Sequence, residues 1–180
     1  MRGTRQSGWR AEPGAGAHGI RRPGWSNARV RVSAKADYAV RAAVELARTP
    51  QVHRSAESIA QAQDIPTKFL QSILCDLRRS GIVASRRGVD GGYRLGRPPR
   101  AITVADVVRA VDGPLATVRG ERPSDLHYPD GADTLRALWV AMRANVRRVL
   151  ESVTLADLAD HRLPAGVRRI VDDAEAWHNH

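Results

Sequence analysis

Ser85-Arg86-Arg87-Gly88-Val89-Asp90-Gly91-Gly92-Tyr93-Arg94-Leu95 sets two adjacent arginines at the mouth of a glycine-rich turn, with a strand pattern after it. Directly before it, Thr67 to Arg79 reads as a helix with Leu70, Ile73, Leu74 and Leu77 on one face. That three-to-four spacing is the signature of an amphipathic helix. A helix followed by a basic hairpin is the layout of a winged helix-turn-helix. There the helix enters the DNA major groove and the hairpin, the wing, lies along the backbone or in the minor groove. Glycines let the tip adopt positive φ. Arginines supply planar cations that phosphate and guanine both accept. An ordinary arginine-bearing surface hairpin has the same composition. Its place directly after a compatible helix favours the wing.

The surrounding elements agree with this layout. Ser33 is a good N-cap for a helix to about Arg48, with Tyr38, Ala39, Ala42, Ala43 and Leu46 inward. Ser55 caps a short helix with Ile59 and Ala60 inward. Asp64-Ile65-Pro66 makes the turn into the Thr67–Arg79 helix, which stops near Gly81. Ile82-Val83-Ala84 and Tyr93-Arg94-Leu95 are the predicted wing strands. Thr103 with Asp106 three residues on predicts a capped helix over Val104–Asp112. The outer face of Thr67–Arg79 presents Lys68, Gln71, Ser72, Cys75 and Arg79. These are short hydrogen-bonding groups for base edges flanked by cations for phosphates. A merely solvated polar face is the alternative, and the wing and the charge distribution weigh against it.

The charge is unevenly placed. Residues 1–29 hold six Arg against one Glu, and residues 30–112 hold fourteen basic against eight acidic residues. Residues 113–180 are close to neutral, with nine basic and ten acidic. A basic half that binds a polyanion, joined to a half that binds something else, fits this split. Of the 29 basic residues only Lys35 and Lys68 are lysine, a bias that also suits a GC-rich coding sequence. One cysteine in 180 residues excludes an intramolecular disulfide and a cysteine-rich metal cluster. No run of about eighteen apolar residues suggests a membrane span, and no apolar core near the N-terminus suggests a secretory signal. A cytoplasmic location is the resulting expectation.

The expected organisation has five parts. Residues 1–29, rich in Gly, Arg, Pro and Ala, read as a disordered basic extension. Val30-Arg31-Val32-Ser33 reads as a natural beginning, because valine codons can serve as starts in GC-rich bacteria. Residues 30–112 form the winged DNA-binding unit and 113–131 a connecting or sensor loop. Residues 132–160 form dimerisation helices and 161–180 a polar tail, with a polar helix through Val167, Ile170, Val171 and Ala174 that then frays. The long helix carries Leu135, Leu138, Trp139, Met142, Val146, Val149, Leu150 and Val153 at three-to-four spacing. Arg136, Arg143, Arg147 and Arg148 lie off that stripe. A long apolar seam on a small DNA-binding unit finds its partner in a second copy, or packs only on its own domain. Thr154 with Asp157 caps a further short helix through Leu158.

Catalytic motifs are missing: there is no phosphate-binding GxxxxGK loop, no HExxH and no nucleophile elbow. The six histidines are scattered, and the terminal pair His178 and His180 reads as a tail. Asp157/Asp160 and Asp172-Asp173 read as solvated helix surface. Asp125, His127, Tyr128 and Asp130 in the 113–131 loop read as plain connection, with a small ligand or an oxygen-preferring metal as the alternative. Cys75 reads as a small residue permitting close approach to DNA. The alternative is a thiol whose oxidation disturbs docking.

The assembled residues resemble the IscR-like winged-helix regulators, also called the Rrf-two type. The likeness is carried by Ser33-Ala34-Lys35-Ala36-Asp37-Tyr38-Ala39-Val40-Arg41, Ile65-Pro66, Phe69-Leu70, Arg87-Gly88 with Gly91-Gly92-Tyr93-Arg94-Leu95, and Ile102 to Val107 with Val111-Asp112-Gly113. It runs from about Val30 to Leu158. It implies a mainly α fold with a small β-hairpin wing and a long C-terminal dimerisation helix. The function it implies is a homodimeric transcription regulator, a repressor, on a palindromic operator. The DNA-contacting set then comprises Lys35, Tyr38, Thr67, Lys68, Gln71, Ser72, Arg79, Arg86, Arg87, Gly88 and Tyr93, and the dimer seam Leu135 to Leu150. Many members hold an iron–sulfur cluster through three cysteines in the loop before the long helix. Here Pro114 to Thr134 has none, and such ligation needs thiolates. The expectation is therefore a regulator without cofactor or metal and with an unidentified effector. A protein-interaction adaptor that keeps the fold without binding DNA, and a redox regulator working through Cys75, are the rival readings.

Overall fold

A computed structural model describes residues 32–129 and 132–178. The basic extension 1–29 and Asp130 lie outside them. The chain is mainly helical with one antiparallel hairpin. Helix α1 spans Ala34–Arg48, α2 Ala56–Gln63 and α3 Thr67–Arg79; strands β1 and β2 span Val83–Arg86 and Gly92–Leu95. Then follow α4 (Val104–Asp112), α5 (Asp133–Ser152), α6 (Leu155–Ala159) and α7 (Ala165–Val171).

Helix α1 is the hub. Ser33 Oγ accepts the amide of Ala36 at 2.9 Å and fixes its start. Its inner face is almost all alanine: Ala36, Ala39, Ala42, Ala43 and Ala47 are buried with Leu46. Small side chains let neighbouring helices approach closely, and α2, α3, α4 and α6 all pack on α1. Helix α2 ends at Asp64 in the left-handed region, φ 50°. The chain then turns through Ile65 and Pro66 into α3, whose Leu70, Ile73, Leu74 and Leu77 are fully buried.

The wing is tied down by a residue far from it in sequence. Arg54 exchanges two main-chain hydrogen bonds with Tyr93, at 2.9 and 2.8 Å, so it acts as a one-residue third strand. Gly92 makes this possible. Its φ is +141°, and a Cβ there would lie 2.6 Å from the Arg54 carbonyl oxygen. The Arg54 guanidinium in turn pairs with Glu45, a buried charge on α1. Glu45 also accepts from Gln63 Nε2 at 2.8 Å and Arg48 Nη1 at 3.1 Å. A buried carboxylate is tolerable only when its lone pairs are met in this way.

Three details depart from the sequence reading. The strands run further toward the tip than expected, so Arg86 ends β1 opposite Gly92 and the tip proper is Arg87 to Gly91. Residues 132–160 divide: α5 stands outward, whereas α6 belongs to the winged unit, with Val153 and Leu155 buried. The cause is a bridge between two helix starts. Val104 N–H donates to Val153 O and Leu155 N–H to Ile102 O, both at 2.9 Å, so the capping boxes of Thr103–Asp106 and Thr154–Asp157 lie side by side. The C-terminal helix ends early at Val171, because the Asp173 carboxylate accepts the Glu175 amide and starts a separate 3-10 turn, Ala174–Trp177.

Candidate nucleic-acid interface

Helix α3 presents its polar side outward. Thr67, Lys68, Gln71, Ser72, Cys75, Arg78 and Arg79 are all exposed, opposite a face with no exposure at all. The hairpin springs straight from its end: Ile82 N–H donates to Leu77 O at 3.0 Å, and Gly96 N–H returns to Ile82 O at 2.8 Å. This pins the base of the wing to the helix and leaves Arg86, Arg87 and Gly88 exposed at the other end. Gly88, at φ +108°, has open space where a Cβ would be, so the glycine serves the backbone turn rather than a contact.

The cations of this surface fall into two groups. Lys68, Arg78, Arg86 and Arg87 have no carboxylate partner among the described residues. Lys35 and Arg79 are engaged. Asp76 receives the Lys35 ammonium at 2.7 Å and the Arg79 guanidinium as well. Lys35 also donates to the Val111 carbonyl at 3.0 Å, which staples α1 to α3 and α4. The Lys35 ammonium, and then Arg79, hold the Asp76 carboxyl below its ordinary range. Tyr38 is half-buried, with the Phe69 ring edge-on at 5.8 Å and the Arg41 guanidinium over its ring at 5.5 Å. Tyr93 is half-buried against the core. The structure thus brings Thr67, Lys68, Gln71, Ser72, Arg86, Arg87 and Gly88 to open surface. It gives Lys35, Arg79 and Tyr93 internal partners.

Comparison with known proteins fits this arrangement. The model of the Rrf2 family, described as iron-dependent transcriptional regulators, matches residues 32–161. The chain belongs to the Rrf2 family. The HTH-type transcriptional regulator Rv1287 of Mycobacterium tuberculosis is 47% identical over 148 residues, covering 82% of this chain and 92% of that one. The solved structure of CymR, the global cysteine regulator of Bacillus subtilis, superposes with a TM-score of 0.64 at 35% identity, over 74% of this chain and 98% of CymR. That of T. potens IscR gives 0.59 at 30% identity, over 83% and 93%. The Rrf2 chain is accordingly a DNA-binding transcription regulator of winged-helix type. It comes from a family of regulators rather than enzymes.

The long helix of this Rrf2 protein behaves differently from α3. It touches α4 and the Pro123–Asp125 turn, yet none of its residues is buried. Leu135 and Leu138 are 40% and 55% exposed. Trp139, Met142, Val146, Val149 and Leu150 are half-buried. Among the described residues, no helix is long and apolar enough to cross a membrane. Sequence reasoning missed two exposed residues of α3. Phe69 is 47% exposed, and Arg78 follows the buried Leu77. Phe69 stands next to Leu70 in the apolar pattern, which hid its outward direction. It also missed Arg54, because a one-residue bridge leaves no period in the sequence.

Proposed function

We propose that the protein is a homodimeric repressor that grips a two-fold symmetric operator. Lys68, Gln71 and Ser72 read base edges and phosphates in the major groove, and Arg86 and Arg87 reach the minor groove from the wing. The observation that carries this reading is the set of outward cations without carboxylate partners among the described residues, beside Lys35 and Arg79, which share the one carboxylate of Asp76. Unpaired cations on a rigid helix and hairpin gain most from a polyanion, and phosphate contacts release counterions. Two copies joined through α5 would present two such units. The protein works in the cytoplasm, where its DNA is.

The reading includes an apo regulator. Cys75 is the one cysteine of the chain, sits exposed on α3, and the loop before α5 offers no thiolate. This donor set does not fit an iron–sulfur cluster. Protein purified without oxygen should show no cluster absorbance and no stoichiometric iron.

The test of the DNA reading is fluorescence anisotropy on duplex fragments from the protein's own promoter, across a salt series. Affinity should fall steeply with salt. Arg87→Ala should weaken binding by about 1–3 kcal/mol. Unchanged affinity in that variant, or a salt-insensitive complex with a protein partner and none with DNA, would favour the adaptor instead.

A further inference from the structure

A cleft of about 320 Å³ lies outside the proposed DNA-facing surface, and its role rests on the regulator reading above. Arg109 of α4, Arg122 of the 113–131 loop, and Arg143 and Arg147 of α5 all line it, with Leu115. Four guanidinium groups share one cleft, and their carboxylate supply is short. Glu151 takes Arg109 and Arg147, the latter at 3.1 Å. Those two pairings, Arg109 first, hold its carboxyl below the usual range. Asp106 lies 3.9 Å from Arg109, but its carboxylate also accepts the Thr103 amide of the α4 capping box. Arg122 and Arg143 have no carboxylate within salt-bridge distance among the described residues. The Nε–H of Arg143 is buried with no acceptor. A buried donor without a partner is rare, and a missing ligand is one reason for it.

We propose that this cleft binds a small molecule carrying a phosphate or carboxylate, the effector that sets the regulator's state. Arginine forks suit planar or tetrahedral oxyanions. The position suits an effector too. The cleft joins α4, part of the winged unit, to α5, the helix that reaches for the second copy. An anion held there favours one angle between them, and the spacing of two recognition helices depends on that angle.

Titration calorimetry on the full chain tests this with inorganic phosphate and pyrophosphate in one arm, succinate and citrate in the other. The stronger arm names the source of the anion. Saturable binding of one anion per chain is expected. Arg122→Ala and Arg143→Gln should each weaken it about tenfold or more, equivalent to about 1.4 kcal/mol. Lys68→Ala should leave it unchanged. Binding lost in Lys68→Ala but kept in the cleft variants would place the anion on the DNA surface and overturn the proposal. So would binding that emerges only when Leu138→Asp and Met142→Asp separate the chains, since the second copy would then fill the cleft. A protein that grips duplex DNA yet binds none of the four anions sinks this inference alone. One that binds the anion in the cleft but no DNA sinks the regulator reading and the effector role with it, and keeps only the anion site.

Discussion

Helices α3 and α5 carry the same kind of apolar stripe and meet opposite fates. Leu70, Ile73, Leu74 and Leu77 of α3 are fully buried, while Leu138 of α5 is 55% exposed. The difference lies in what each helix has opposite it. Helix α3 faces the alanine side of α1, which lets it come close, and α2, α4 and β1 complete the enclosure. Among the described residues, helix α5 packs mainly on α4 and the Pro123–Asp125 turn, with the 113–131 loop beside it. Periodicity reports that a helix has something to bury. It does not say whether the same chain supplies the cover. The winged unit buries its stripe fully, and the long helix leaves its own stripe half-buried to exposed.

The sharpest way to break this contrast is to truncate one leucine on each helix. Leu74→Ala removes a fully buried side chain and should cost about 2–5 kcal/mol in urea unfolding. Leu138→Ala, measured at concentrations where chains are apart, should stay within about 0.5 kcal/mol of wild type. Similar losses at both sites would mean that α5 is covered by its own chain.

A smaller effect is expected at the tie between wing and hub. Glu45→Ala leaves the Arg54 guanidinium with only Ser58 Oγ, at 2.8 Å, and frees Gln63. The cost should be about 2–3 kcal/mol, short of the fully buried case because Arg54 keeps some water. Since Arg54 holds β2, hydrogen exchange at Tyr93 should speed up more than at Leu74. Equal change at both would show that the tie is not local to the wing.

The smallest effect falls at α6. Thr154→Ala removes the cap over Asp157 and should cost about 1 kcal/mol. The Thr154 hydroxyl, and then its amide, hold the Asp157 carboxyl below its ordinary range. A carboxyl depressed in the folded state stabilises above its unfolded value. That contribution is lost as pH falls below about 4, toward the folded value. The variant should therefore lose less stability than wild type between neutral and acid pH. An identical acid profile would contradict the cap.

The outcome at each element shows what a sequence can reveal. Helix α3 was legible to the residue, because four leucine-type positions, a proline before it and a basic hairpin after it all agree. The capping boxes at Thr103 and Thr154 were legible as spacing, but not the bridge that lays them together and draws α6 onto α1. Single contacts between distant residues stayed hidden: Arg54 with Tyr93, and Lys35 with Asp76. The second matters for the candidate site, since a charge that composition counts as available is spent on an internal pair. The arginine cleft was equally invisible, because its four members come from three separate segments.

Sedimentation equilibrium of the full chain, beside the Leu138→Asp/Met142→Asp double variant, tests the account most directly. Wild type should sediment at twice the chain mass of 19.7 kDa, and the variant at that mass itself with cooperative melting retained. A single-chain mass for wild type, or a double variant that remains paired, would contradict it.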